Sequence, residues 1–176
     1  MNNNLLKIRK ANSNDAKNWC EFSAKMWRYA YKDIFPEEVF VDKENKIEEK
    51  IKKFNEEKQN NNNSISYVAE YDGKIIGIMH GSIKSSYKPF CSDYADLRGI
   101  YIDPKFQGCG IGTSLKNIFE AWAIENGASK YVIGVLKDNK KARKVYESWG
   151  GKLSSYEESY VKLGIGYPEV FYTYNL

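Results

Sequence analysis

Three glycines crowd five positions in FQGCGIGTSL, residues 106–115, just where an apolar helical pattern begins. Glycine takes positive φ without steric cost and lets another molecule approach the backbone closely. The first amides of a helix have no intrahelical acceptor and sit at the positive end of its dipole, so this stretch is suited to an anion. It lacks the G-x-x-x-x-G-K-[ST] of a Walker loop, and Thr113 stands where the third glycine of G-x-G-x-x-G belongs. It does satisfy Q/R-x-x-G-x-G/A, through Gln107, Gly110 and Gly112.

Other residues offer proton chemistry. Tyr146 lies among Ala142, Val145 and Trp149 at helical spacing, and a phenol stays protonated through neutral pH. By position alone it reads equally as a core aromatic, since the chain has 14 tyrosines. Asp96 is a candidate base in the strand-like run DYADLRGIYI; the competing reading is a solvated carboxylate paired with Arg98. His80 is the only histidine, and Cys20, Cys91 and Cys109 are widely spaced, so neither a zinc site nor a disulfide framework is expected. Cys109 reads as a small filler or as a thiol at a helix start. Lys140, Lys141, Arg143 and Lys144 form a basic run, read as a solvated face or as a partner for a phosphate.

LRGIYIDPKFQGCGIGTSL resembles the acetyl-CoA motif of the GNAT acetyltransferase superfamily, and VLKDNKKARKVYESWGGK is similar to that family's next motif. Asn139, Ala142 and Tyr146 satisfy its N-x-x-A-x-x-x-Y, and YVAEYDGKIIGIMHGSI resembles the hairpin that precedes both. The resemblance covers roughly residues 64–151. It implies that Gly108, Cys109, Gly110, Ile111, Gly112 and Thr113 hold the pyrophosphate of acetyl-CoA and that Ile100, Tyr101 and Ile102 pair with its pantetheine. Gln107, Asn139 and Ala142 then complete the cofactor side, with Tyr146 as proton donor to the departing thiolate and Asp96 as base. Cys109 departs from the lysine or arginine frequent there. The implied activity is direct acetyl transfer to a primary amine of a small molecule, polyamine-like or aminoglycoside-like, with Trp27 and Tyr31 lining the acceptor pocket. The alternatives are a protein N-terminal or lysine acetyltransferase, or an acyl-CoA-binding module without turnover.

These residues must be positioned by surrounding elements. LLKIRKA reads as a first strand, followed by a helix capped by Ser13 or Asn14 with Trp19, Phe22, Met26 and Trp27 on one side. PEEVF starts a second helix at its proline, and DKENKIEEKIKKFNEEK carries Ile47, Ile51 and Phe54 as the thin stripe of an exposed helix. QNNNNS, 59–64, is a polar loop. Asp72-Gly73 joins two β-rich runs as a hairpin. Leu97, Ile100 and Ile102 break strict alternation, which predicts a bulge at Arg98-Gly99. Leu115, Ile118, Phe119 and Trp122 form a helix closed by Gly127; KYVIGVL is a strand, and NKKARKVYESWGG another helix. KLSSY and PEVFYTYNL are the last strands.

The expected fold is α/β: a mixed, mostly antiparallel sheet of about seven strands, with a central parallel pair splayed by a bulge and four to five flanking helices. At 176 residues, one domain spanning 1–176 is expected. A net charge of +4 is too mild to point to nucleic acid, and MNNNLLKIRK lacks the apolar core of a signal peptide. A cytoplasmic enzyme is expected, with a small-molecule amine acceptor as partner and acetyl-CoA as co-substrate. No metal, nucleic acid or membrane is expected as a partner, and a homodimer is compatible with the sequence.

Overall fold

The computed structural model describes residues 5–60 and 63–176. The MNNN start and part of the polar loop expected at 59–64 lie outside the described residues. In chain order the elements are β1 (Leu6–Lys10), α1 (Ala16–Tyr31), α2 (Glu37–Asn45), α3 (Ile47–Asn60), β2 (Ser64–Tyr71), β3 (Lys74–Ser82), β4 (Ala95–Ile102), α4 (Ile111–Glu125), β5 (Lys130–Leu136), α5 (Lys140–Ser148), β6 (Lys152–Lys162) and β7 (Ile165–Asn175). The strands form one seven-stranded sheet in the order β1-β2-β3-β4-β5-β7-β6. β4 and β5 run parallel; the other neighbours are antiparallel.

Each strand divides its side chains between two faces. On one face α4 and α5 cover Tyr131, Ile133 and Val135 of β5, together with Leu115, Phe119 and Ala123 of α4. On the other, Val132 packs with Phe90 and Phe171, while Leu136 joins Trp27, Phe35, Val39 and Phe40. The period-2 split of β5 thus sends one strand's residues to opposite cores.

Local chemistry explains the element ends. Asp72 and Gly73 both take positive φ, 50° and 72°, as the tight β2–β3 hairpin requires. Gly127, at φ 85°, follows the last turn of α4. The cap preceding α1 is neither Ser13 nor Asn14. Asn12 accepts from the Asn14 amide, and Asp15 returns a bond to the Asn12 amide at 2.8 Å, a capping box that opens a 3-10 turn.

Two further elements differ from expectation. The two helices expected after Pro36 meet at Lys46, so the start of the charged run closes α2 and does not open α3, and α3 is not simply exposed. Its Phe54 is buried with the ring 5.3 Å from Trp19, so the thin stripe suffices to dock the helix on α1. The closing strands are 11 residues each, joined at Leu163 and Gly164, both at positive φ. The KLSSY run is therefore only the start of β6. Alternating burial along Lys152–Lys162 shows an edge strand with one wet face, too polar to stand out in the sequence. Among the described residues, no helix is long and apolar enough to cross a membrane.

Candidate active site

The site begins at an irregularity in β4. Its register against β3 runs from Gly77–Ile102 to His80–Gly99, then jumps to Ser82–Asp96, so β4 carries one extra residue between Asp96 and Gly99. The bulge brings Leu97, Ile100 and Ile102 to the same core despite their odd spacing. It also turns β4 away from β5: the parallel pairing consists of Ala95–Tyr131 and Asp96–Val132 alone. Residues 97–102 therefore present a backbone edge to β5 without a strand partner, which is where an extended ligand can pair.

At the far end of this opening lies the glycine loop. Gly108 and Gly110 adopt φ of 77° and 79°, and a Cβ at either would meet nothing within 4 Å, so open space lies before the loop. The first backbone bond of α4 runs from the Ser114 amide to the Gly110 carbonyl, which leaves the amides of 111–113 without an intrahelical acceptor. Gln107 fixes the loop from both sides: its Nε2 donates to the Ile102 carbonyl at 3.0 Å, and its Oε1 accepts from Lys141 Nζ at 2.8 Å. That second bond ties the loop to α5, whose N-cap Asn139 accepts from the Ala142 amide. Cys109 is exposed and adds no cation. An acetyl-CoA pyrophosphate fits this loop through amides, the dipole of a 15-residue helix and nearby lysines.

Tyrosines line the opening between the splayed strands. Tyr31, from the end of α1, lies beside Tyr101 of β4 and Asn139, the N-cap of α5. Tyr146 of α5 is buried and interacts electrostatically with both Tyr31 and Tyr101. Burial pushes the Tyr146 and Tyr101 hydroxyls well above the usual phenol range, and that of Tyr160 on β6 up to about 12. All therefore stay protonated at neutral pH.

A second group of buried side chains faces α1–α3 and the β3–β4 connection. Asp96 is only 1% exposed, and its Oδ1 has no hydrogen-bond partner among the described residues. Burial raises its carboxyl to about 6, against the opposing pull of Arg98 and of the nearby Ser86 backbone. Glu169 of β7 is raised to about 7 by burial and by Glu158 and Asp96 nearby. The Tyr87 hydroxyl donates to Glu169 Oε1 at 3.4 Å. Both sit over Gly134 of β5, where a Cβ would lie 2.7 Å from the Tyr87 oxygen and 2.9 Å from the carboxylate. Glycine is there because two polar side chains occupy its space.

The structure thus brings Gln107, Gly108–Thr113, Ile100–Ile102, Asn139, Ala142 and Tyr146 around one opening, with Tyr31 at its wall. Trp27 stands behind Tyr31, with their rings 5.2 Å apart. It is stacked on Phe35 at 4.8 Å and buried. His80 is set apart from these, with Nδ1 bonded to Ser66 Oγ at 2.9 Å. The Tyr101 side chain, Glu169 and Tyr87 were not foreseen. Glu169 and Tyr87 are 82 positions apart and meet only through sheet pairing; a glycine inside the otherwise large-residue strand KYVIGVL was the one local signal of their approach.

Residues 24–151 match the acetyltransferase (GNAT) family, and the chain belongs to it. A stretch of 87 residues is 28% identical to aminoglycoside N(6')-acetyltransferase type 1 of Salmonella typhimurium. That match takes in 48% of this chain and 60% of the relative's length, so the chain spans well under two thirds of it. The fold is similar to that of the PaiA N-acetyltransferase of Thermoplasma acidophilum in complex with coenzyme A, with a TM-score of 0.70, 21% identity and coverage of 93% and 97% of the two chains. It is similar also to the ribosomal-protein-alanine N-acetyltransferase of Brucella melitensis, at TM-score 0.69, 18% identity and 97% and 99% coverage. The first and last of these relatives carry names of quite different acceptors.

Proposed function

We propose that the protein is an acetyl-CoA-dependent N-acetyltransferase acting on a primary amine of a small molecule. The observation that carries this reading is the unpaired β4 edge between the glycine loop and a buried, protonated Tyr146. Acetyl-CoA supplies an acetyl group activated as a thioester, held by the amides of 108–113, by the edge of 100–102 and by Gln107, Asn139 and Ala142. An alkylamine is a cation at neutral pH, with a pKa of ~10.4, and must lose a proton before it attacks. Asp96, held near 6 with one free oxygen, takes that proton, directly or through water. Bond formation from nitrogen to the acetyl carbon expels the sulfur, and Tyr146 gives the departing thiolate its proton. Asp96 and Glu169 also favour a cationic acceptor over a neutral one. Tyr31 forms the pocket wall, and Trp27 fixes its position.

The likeness to an aminoglycoside acetyltransferase supports a small polyamine-like or aminoglycoside-like acceptor, with a cytoplasmic setting as the natural one for this chemistry. Coenzyme A release is measured against polyamines, aminoglycosides, amino acids and peptides bearing a free N-terminus or lysine. Turnover with a small amine supports the proposal. Turnover only with peptides would make the protein a peptide or protein acetyltransferase. Tight acetyl-CoA binding without turnover across the panel would make it an acyl-CoA-binding module.

A further inference from the structure

Helices α1, α2 and α3 and strand β3 line a cavity of about 260 Å³ away from the glycine loop, and two lysines of its wall, Lys43 and Lys50, face the same space. Two ammonium groups at one opening each disfavour the other's charge unless an anion comes between them. Burial and the Lys50 charge lower the Lys43 amine to about 7, and Lys162 adds to the same positive field. Asp42 pairs with Lys46 at 2.7 Å and Glu49 with Lys53 at 2.6 Å, while Glu57 is an exposed rim residue. Among the described residues, neither Lys43 nor Lys50 has a carboxylate within ion-pair distance. Lys43 is instead held over the Trp27 ring, 4.7 Å from its centroid, and the Lys50 ammonium donates to the Lys43 carbonyl at 3.2 Å.

We propose that this cavity is an oxyanion site, which takes a carboxylate or phosphate group of a small molecule between Lys43 and Lys50. Such a group offsets the mutual repulsion of the two lysines with charge-assisted hydrogen bonds in a partly desolvated place. The remaining groups that face it are compatible. Burial keeps the Cys20 thiol protonated, and His80 closes the far wall. Binding draws a proton onto Lys43, so affinity falls as pH rises through about 7 and that amine is neutral before the anion arrives.

The test uses the full chain with coenzyme A present, so that phosphate does not compete for the glycine loop. Thermal unfolding is followed in phosphate and in acetate against chloride at equal ionic strength. At tenfold excess over Kd, either anion should raise the Tm by about 3–6 °C. Lys43→Met and Lys50→Met keep the apolar stem and should lose that rise. Titration calorimetry at pH 7.5 in buffers of different ionisation enthalpy should show proton uptake by the wild type and none by Lys43→Met. No stabilisation beyond chloride, or equal stabilisation of wild type and both variants, overturns the proposal. No turnover is measured, so failure here is distinct from failure of the acetyltransferase reading.

Discussion

Arg98 Nε stands 3.8 Å from Asp96 Oδ2, near the outer limit of an ion pair, while Asp96 Oδ1 has no hydrogen-bond partner among the described residues. Arg98 is 42% exposed and its carboxylate partner 2%, so water screens the cation and not the acid. The pair is too loose to hold Asp96 in its charged form, and burial prevails, raising the carboxyl from 3.8 to about 6.

That imbalance has a stability consequence. An acid whose folded value lies above its unfolded value ionises more easily in the unfolded chain, so the native state loses stability as pH rises from about 4 to about 6. Above that range the loss is constant, at roughly 2–3 kcal/mol for a shift of this size. Asp96→Asn should therefore match wild type at pH 4 and be more stable at pH 7.5 by about 1–3 kcal/mol. Urea unfolding at the two pH values checks this; equal stability at pH 7.5 would mean that Asp96 is solvated or better paired than its burial indicates.

The same carboxylate has a kinetic signature. Asp96 becomes a base above about 6, and the free-amine fraction of the acceptor keeps rising toward its own pKa of ~10.4. Wild-type kcat/KM should climb from pH 6 to pH 9. Asp96→Asn should be most defective near pH 7 and recover as free amine becomes plentiful. A defect of constant size across the range would remove Asp96 as the base.

Several of these features were legible in the sequence because they depend on neighbours along the chain. Leu97, Ile100 and Ile102 announced the bulge by their spacing, and Asp72-Gly73 announced its hairpin. Gly108 and Gly110 announced a loop with positive φ. What was not legible depends on distant pairing. Nothing near Glu169 signals that β5 and β7 align it with Tyr87 over Gly134, and nothing near Lys43 signals that a helix break at Lys46 turns Lys50 back upon it. Trp27 and Tyr31 share a helix and an aromatic character. Only packing shows that the first stacks on Phe35 and the second lies beside Tyr101 and Asn139.

At the glycine loop, conformation and charge are separable. Gly110 is at φ 79°, so any side chain there is strained, yet the space beside it is open. Gly110→Ala should cost about 1 kcal/mol of stability and weaken coenzyme A only a few-fold. Gly110→Asp carries similar strain and adds a negative charge where the pyrophosphate sits. Its coenzyme A affinity should fall at least 100-fold in a protein that still unfolds cooperatively. Calorimetry on both variants decides; equal affinities would place the pyrophosphate elsewhere.

Gly134 tests the acid group from below. A Cβ there falls within 3 Å of the Tyr87 hydroxyl and of Glu169 Oε1, and 3.1 Å from the Phe171 ring. Gly134→Ala should part Tyr87 from Glu169 and cost about 1–3 kcal/mol, as overpacking does. The acceptor KM should rise several-fold while coenzyme A affinity holds, because the glycine loop is untouched. Unchanged acceptor kinetics in the folded variant would show that the amine does not approach from this face.

Tyr146 admits the sharpest separation of structure from chemistry. Its ring packs against Trp149 and Tyr172, with centroids 5.8 and 6.0 Å away, and its backbone carbonyl accepts the Tyr174 hydroxyl at 2.9 Å. All three contacts survive in Tyr146→Phe, which deletes the hydroxyl alone. Stability should change by less than about 1 kcal/mol, the size of one modest hydrogen bond. If the phenol protonates the leaving sulfur, kcat should fall roughly 10–1,000-fold with the acetyl-CoA KM little altered, since the lost interaction belongs to the transition state. A donor with a more acidic thiol leaving group needs that proton less and should recover part of the lost rate. Equal loss for both donors would assign the hydroxyl to positioning, and full activity would return Tyr146 to the core on which its ring already rests.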